Sequence, residues 1–227
     1  MNAASDRCEK DLNTPSWRKG YRGGRRALLA DNAKTTRMRL EKMGMLNLSR
    51  SARILDFGCG DGNLIRFLEE QGFENVVGVE PDEELVRESA LAGRVIAARG
   101  PGLPFEESTF DAIVSMAVLH HLPDEDTLQE VVKEFARLLR PGGLFCYAEP
   151  SNSWARSLLT PLLLSPLGLL CDFSRKKRLM VMAERDTLRR WLSIERRVPE
   201  SVVAPAGFRI VSVERHAVKT YLRALRT

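Results

Sequence analysis

The sequence predicts an α/β domain, and three observations carry that reading. Residues 54–64, Ile-Leu-Asp-Phe-Gly-Cys-Gly-Asp-Gly-Asn-Leu, read as a short apolar strand, a glycine turn and the first turn of a helix that runs to about Gln71. Short apolar strands then alternate with amphipathic helices as far as residue 150. The chain closes on a helix, a Gly-Phe pair and two further strands. In the turn, Gly58, Gly60 and Gly62 admit positive φ and place no Cβ between the backbone and a ligand. The following helix aims its free N–H groups at the same place. Asp56 stands at the carboxyl end of the strand, where open α/β sheets bind ligands. A dinucleotide pyrophosphate calls for G-x-G-x-x-G. Here the pattern is G-x-G-x-G with an acid two residues before the first Gly. An acid so close repels a diphosphate and suits an ammonium group, which favours a cationic amino acid as ligand.

The remaining elements follow in order. Residues 1–25 lack apolar periodicity and read as a mobile basic arm. Leu28, Leu29, Ala33, Met38 and Leu40 predict one or two amphipathic helices between Arg26 and about Met43. Val76–Glu80 is a buried strand ending in an acid, and Pro81 opens a helix over Asp82–Leu91. Arg94–Arg99 is the third strand and Thr109–Ser115 the fourth. Asp124 caps a helix over Thr127–Leu139, whose Leu128, Val131, Val132, Phe135, Leu138 and Leu139 form one apolar stripe. Arg140-Pro141-Gly142-Gly143 stops it, and Leu144–Ala148 is the fifth strand, ending at Glu149-Pro150. A helix over 184–195 and strands over Ala206–His216 and Val218–Leu225 complete the chain.

At 227 residues the chain suits one large domain. Four cysteines without C-x-x-C spacing indicate neither a zinc site nor a disulfide framework, so no metal is expected. A reduced, cytoplasmic compartment is the simplest inference, since the first 25 residues contain no signal-like apolar stretch. No window reaches the roughly 18 uninterrupted apolar residues of a spanning helix. The net charge of +5 is uneven: residues 1–50 hold +7, residues 51–150 hold −11 and residues 151–227 hold +9. Two basic flanks therefore surround an acidic centre, which bears on partners rather than on fold.

Asp56-x-Gly58-x-Gly60-x-Gly62 resembles the first motif of the class I S-adenosylmethionine-dependent methyltransferases. Leu138-Leu139-Arg140-Pro141-Gly142-Gly143-x-Phe145 looks like that family's third motif, and Phe110-Asp111 like its entry to the fourth strand. The resemblance spans about 50–150 and again 184–225, and is similar to the ubiquinone- and menaquinone-biosynthesis group. It implies a Rossmann-like sheet of seven strands, mostly parallel with an antiparallel last strand, in the order 3-2-1-4-5-7-6. Right-handed crossovers follow from chain chirality. The implied organisation is a basic arm over 1–25 and a single domain over 26–227. Within it lie cover helices over 26–50, a cofactor-binding core over 51–150, a helical lid insertion over 151–183 and a closing unit over 184–227.

The resemblance also implies S-adenosylmethionine as cofactor. Asp56 would balance its ammonium, Gly58, Cys59, Gly60 and Gly62 would admit it, and Glu80 with Pro81 would hold its ribose. Glu80 lies 22 residues after Gly58, near the offset of a ribose-binding acid, although a helix cap is also open to it. Ser115, at the end of the fourth strand, completes the set. In this family an Asp before Leu-Pro-Phe accepts from the adenine amino group. Leu103-Pro104-Phe105 matches, but Arg99 stands at the acid's position and a guanidinium cannot accept. Main chain near Gly100, or Arg99 stacked on the base, would have to serve instead. Cys59 is read as a small residue between two glycines, not as a nucleophile.

His120 and His121 follow the fourth strand and are candidate general bases for an acceptor that must lose a proton, His121 being preferred. A plain loop hydrogen bond is the alternative for each. Glu149 is a candidate substrate contact or a capping carboxylate. The expected reaction is methyl transfer to a small-molecule or lipid-like acceptor. A nucleic-acid methyltransferase is a second reading, prompted by the basic flanks but lacking an Asn-Pro-Pro-Tyr-like motif or a recognisable RNA-binding module. A SAM-binding scaffold without catalysis is a third. In the lid, Pro161, Pro166 and Gly168 are expected to break residues 154–170 into short pieces. Leu158–Leu170 followed by Arg175–Arg178 would form either a core-packed cover or, through 154–178, a peripheral membrane contact.

Overall fold

The computed structural model describes residues 33–89, 91, 93–165, 182 and 184–227. The expected basic arm, the start of the cover helices and the Arg175–Arg178 run lie outside the described residues, as do Pro166 and Gly168. Seven strands form one sheet: β1 (Arg53–Phe57), β2 (Asn75–Glu80), β3 (Val95–Ala97), β4 (Phe110–Met116), β5 (Leu139–Pro150), β6 (Phe208–Arg215) and β7 (Lys219–Arg226). Their order is β3-β2-β1-β4-β5-β7-β6. The first five pair in parallel, and β7 lies antiparallel to both β5 and β6.

Among the described residues the α-helices are α1 (Ala33–Lys42), α2 (Asn63–Glu70), α3 (Glu83–Glu88), α4 (Glu125–Leu138), α5 (Trp154–Leu164) and α6 (Arg185–Ile194). Alternate side chains on each strand feed two separate cores, as the two-residue period of a strand requires. Leu55, Phe57, Ile113, Phe145, Tyr147, Leu222 and Ala224 pack with Phe135 of α4 and Trp191 of α6. Ile54, Ala112, Val114, Cys146 and Tyr221 pack on the other face with Leu64, Ile65 and Leu68 of α2. Leu40, Met43 and Met45 join that second core, so the described part of the cover segment is packed against the sheet.

Three sequence boundaries shift for identifiable reasons. Helix α3 stops at Glu88 rather than running to Leu91, because the Ser89 hydroxyl donates to the Val86 carbonyl and accepts from Leu91 N. Strand β5 starts at Leu139 rather than Leu144, through pairing of Leu139 with Phe110 ahead of a register shift. Helix α5 continues through Pro161, which the sequence reading treated as a break. A proline removes one helical donor, and the turn beyond it still closes through Ser165 N to the Pro161 carbonyl at 2.9 Å.

Helix α6 is tied to the strand ends by its buried face. The Trp191 indole N–H donates to the Pro150 carbonyl at 2.8 Å, and Arg190 Nη2 to the Leu122 carbonyl at 2.9 Å. These contacts fix the start of α6 over the loop that leaves β4.

Gly78, inside β2, is where the glycine turn meets the sheet most tightly. A Cβ there would lie 2.5 Å from Cys59 Sγ and 2.8 Å from Ile65 Cδ1. Gly78→Ala is therefore expected to lower stability by about 1–3 kcal/mol through overpacking, read as a lower urea midpoint. An unchanged midpoint would show that Cys59 and α2 move aside at no cost.

Candidate active site

Three strands deliver acids to one rim of the sheet. Asp56 is on β1, Glu80 ends β2 and Glu149 lies near the end of β5, and all three are buried. Gly58, Gly60 and Gly62 have φ of 75°, 57° and 77°, the left-handed region that favours glycine. Gly58 N and Cys59 N donate to the Val79 carbonyl, which ties the turn to β2. A Cβ at Gly58 would sit 2.5 Å from Val118 and one at Gly62 2.3 Å from Leu91, so packing as well as φ requires glycine there.

Glu80 braces this turn from below. Its Oε2 accepts from Gly60 N at 3.0 Å and its Oε1 from Asp82 N at 3.1 Å. The carboxylate thus links the glycine turn to the start of α3, where Asp82, adjoining Pro81, is the N-cap.

Asp56 is handled differently. Among the described residues its Oδ2 is buried without a hydrogen-bond partner, as is the Ser115 hydroxyl of neighbouring β4. Burial, reinforced by the Glu80 charge, pushes the Asp56 pKa up to about 8. An unpaired buried carboxyl oxygen is costly, and a cationic donor placed against it would repay that cost. Burial also raises the Cys59 thiol, with the Asp56 and Glu80 charges adding to it, which removes Cys59 as a thiolate nucleophile.

The Leu103–Phe105 segment shows what sequence reasoning missed. Leu103 N donates to Glu134 Oε1 at 2.9 Å, and Arg137 donates to the Phe105 carbonyl at 3.0 Å. Glu134 and Arg137, three apart on α4, also pair with one another. The Arg137 hydrogen bond holds the Glu134 carboxyl below its ordinary pKa, against the opposing effect of burial. The i,i+3 spacing was a visible signal, but its target loop was not. Gly100 passes close to the end of β1, since a Cβ there would meet Phe57 and Val131 at 3.2 Å. Arg99 is half-buried, with Nη1 unpartnered among the described residues.

After β4 the backbone turns through Ala117, at φ 59°, into a short 3-10 turn over Leu119–His121. Glu149 organises this turn. Its Oε1 accepts from Val118 N at 2.8 Å and Leu119 N at 2.9 Å, and its Oε2 meets His120 Nδ1 at 2.7 Å. Both Glu149 oxygens are thus engaged by the protein, as the capping alternative read from sequence describes. His120 is the imidazole it orients. Burial alone would lower the His120 pKa, but the carboxylates of Glu149 and Glu184 outweigh it and raise the value. The His120 and His121 rings lie 4.0 Å apart. Glu184, at the start of α6, approaches His120 Nε2 at 3.6 Å and His121 Nε2 at 3.7 Å. No metal centre was expected from sequence, yet His120, His121 and Glu184 bring ligand atoms within 4.8 Å of one another.

Residues 55–147 match a family described as a methyltransferase domain. Over that segment the chain is similar to methyltransferases. It is 31% identical over 150 residues to 27-O-demethylrifamycin SV methyltransferase of Amycolatopsis mediterranei (strain S699), covering 62% of this chain and 50% of that protein. It is 33% identical over 98 residues to tRNA (carboxymethyluridine(34)-5-O)-methyltransferase of Arabidopsis thaliana, covering 43% of this chain and 24% of that protein. The chain thus spans half or less of these curated relatives. A solved structure with the same fold is Burkholderia thailandensis 1,6-didemethyltoxoflavin-N1-methyltransferase, with bound 1,6-didemethyltoxoflavin and S-adenosylhomocysteine. It is 17% identical, has a TM-score of 0.60, and the match covers 100% of this chain and 92% of that one.

S-adenosylmethionine fits the donor set. Asp56 Oδ2, without a hydrogen-bond partner among the described residues, suits its ammonium, and the Glu80 carboxylate at the end of β2 is of a type that accepts from ribose hydroxyls. Glu80→Ala is expected to weaken S-adenosylmethionine binding by about 1–3 kcal/mol, measured by calorimetry. Glu80→Gln, which keeps one acceptor oxygen, should lose less. Equal affinity in wild type and Glu80→Ala would remove Glu80 from the ribose site.

Proposed function

We propose that this chain transfers the methyl group of S-adenosylmethionine to a small-molecule or lipid-like acceptor. The observation that carries the reading is the buried, unpartnered Asp56 Oδ2 beside a three-glycine turn at the carboxyl ends of β1 and β2. When bound, the cofactor supplies an electrophilic methyl on a sulfonium whose departure leaves a neutral thioether, so no acid is needed. The protein's part is orientation and exclusion of water. In this reading Asp56 binds the ammonium and Glu80 the ribose. Backbone at Gly58, Cys59, Gly60 and Gly62 approaches the cofactor, while Pro81, Gly100 and Ser115 line its remaining edges. His120, oriented by Glu149, and His121 form the acceptor-side end.

The range of acceptors is supported at one end by the rifamycin relative. Its apolar end is supported by Trp154 and Leu158, which share one face of α5 and stay 78% and 66% exposed. No helix among the described residues is long and apolar enough to cross a membrane. A peripheral contact through 154–178 rests mostly on residues outside those described. The tRNA relative, together with the basic flanks, keeps RNA as a second reading. RNA affinity that falls steeply with salt, together with methylated RNA product, would replace the small-molecule reading.

The ammonium assignment has a direct test. With its pKa near 8, Asp56 is largely protonated at pH 7 in the free protein, and an ammonium docked against it favours ionisation. Cofactor binding at pH 7 should therefore release protons, seen calorimetrically as a binding enthalpy that varies with buffer ionisation enthalpy. Release should fade as pH rises past about 8, and Asp56→Asn should abolish it while weakening affinity. A buffer-independent enthalpy in wild type would overturn the assignment.

A further inference from the structure

The two histidines and the first residue of the closing unit converge from elements far apart in sequence. His120 and His121 come from the turn after β4, and Glu184 from the residue preceding α6. The Glu184 carboxylate makes no hydrogen bond that caps its own helix. It faces the imidazoles instead, one oxygen toward each Nε2, at 3.6 Å and 3.7 Å. Those separations exceed a normal hydrogen bond. They are close to the ~3.4 Å that separates two ligands bound tetrahedrally at about 2.1 Å from one ion.

The orientation of His120 fits the same purpose. Its Nδ1 is held by Glu149 at 2.7 Å, which leaves Nε2 to present a lone pair, and Glu149 is itself fixed by two backbone N–H groups. A carboxylate behind the imidazole is the arrangement that orients metal-binding histidines. Two imidazoles and a carboxylate suit zinc or a neighbouring first-row divalent ion rather than magnesium or calcium, which prefer all-oxygen sets. Charge agrees as well: Glu184 and Glu149 supply two buried or nearly buried carboxylates, with Arg156 the cation electrostatically linked to Glu184.

We propose that His120 Nε2, His121 Nε2 and the Glu184 carboxylate bind one divalent transition-metal ion of the zinc type. Three protein ligands leave at least one coordination position open. Where the methyl-transfer reading holds, an acceptor hydroxyl would occupy that position, and this part of the inference rests on that reading. The bound hydroxyl is acidified by the ion and gives its proton to water. Its oxygen then bonds to the methyl carbon as the carbon–sulfur bond breaks, with the electron pair staying on sulfur. The acceptor class so defined is an oxygen nucleophile, a hydroxyl, phenol or enol.

The test uses the full chain, stripped with chelator and titrated with cobalt(II) and, in parallel, zinc(II). One cobalt(II) per chain is expected, with visible d–d absorption that zinc(II) abolishes. Glu149→Gln should weaken zinc(II) binding about 10–100-fold, and Glu184→Gln and His121→Asn should weaken it at least as much. Circular dichroism confirms folding of each variant, and Glu184→Gln, altered at the edge of the cluster, stands in should Glu149→Gln not fold. No stoichiometric cobalt(II) binding by folded wild type, or unchanged zinc(II) affinity in Glu184→Gln and His121→Asn, would overturn the site. S-adenosylmethionine binding by the metal-free protein is measured alongside. Its absence would strike the methyl-transfer reading and leave the metal site standing.

Discussion

Burial of three carboxylates along one rim of a parallel sheet is the constraint on which the site depends. An ionised carboxylate out of water must be hydrogen-bonded or paired, or it takes up a proton. Glu80 is satisfied by the backbone N–H groups of Gly60 and Asp82, and Glu149 by those of Val118 and Leu119 together with His120. Asp56 has an oxygen that nothing in the described protein satisfies, and its pKa rises accordingly. The first two acids therefore shape loops, the glycine turn and the histidine turn. The third is left poised for a ligand. The division of labour arises from how many backbone donors reach each oxygen.

The two halves of the site rest on different supports. The glycine-turn half is local to β1 and β2, whose pairing sets Asp56 opposite Gly78 and brings Glu80 under Gly60. Close packing of Gly78 against Cys59 leaves little slack in that pairing. The histidine-turn half depends on a long-range closure. Helix α6 reaches that turn through Trp191, buried against Tyr147 and bonded to the end of β5, and through Arg190, which donates to the Leu122 carbonyl. Helix α5 lies in sequence between the end of β5 and α6.

Much of this was legible in the chain. Strand–turn–helix periodicity and the spacing of Asp56, Gly58, Gly60, Gly62 and Glu80 located the glycine turn and the acids beside it because those residues act through local backbone geometry. The stripe on α4, its Asp124 cap and the Gly207-Phe208 entry to β6 were readable for the same reason. The break expected at Pro161 did not occur, because a helix can lose one donor and close the next turn. Glu149 could be placed at a strand end from sequence, but not the direction its carboxylate faces.

By itself, then, the sequence determined the α/β class, the strand succession and the glycine-turn acids, all features with a period or spacing along the chain. Only the tertiary structure decided that Glu149 orients His120, that Glu134 and Arg137 pin the Leu103–Phe105 loop, and that Glu184 faces both imidazoles. The partners in these contacts are separated by about thirty to sixty residues, and sheet pairing and the docking of α6 bring them together. No local pattern encodes such a meeting, because its geometry is set by where distant elements pack.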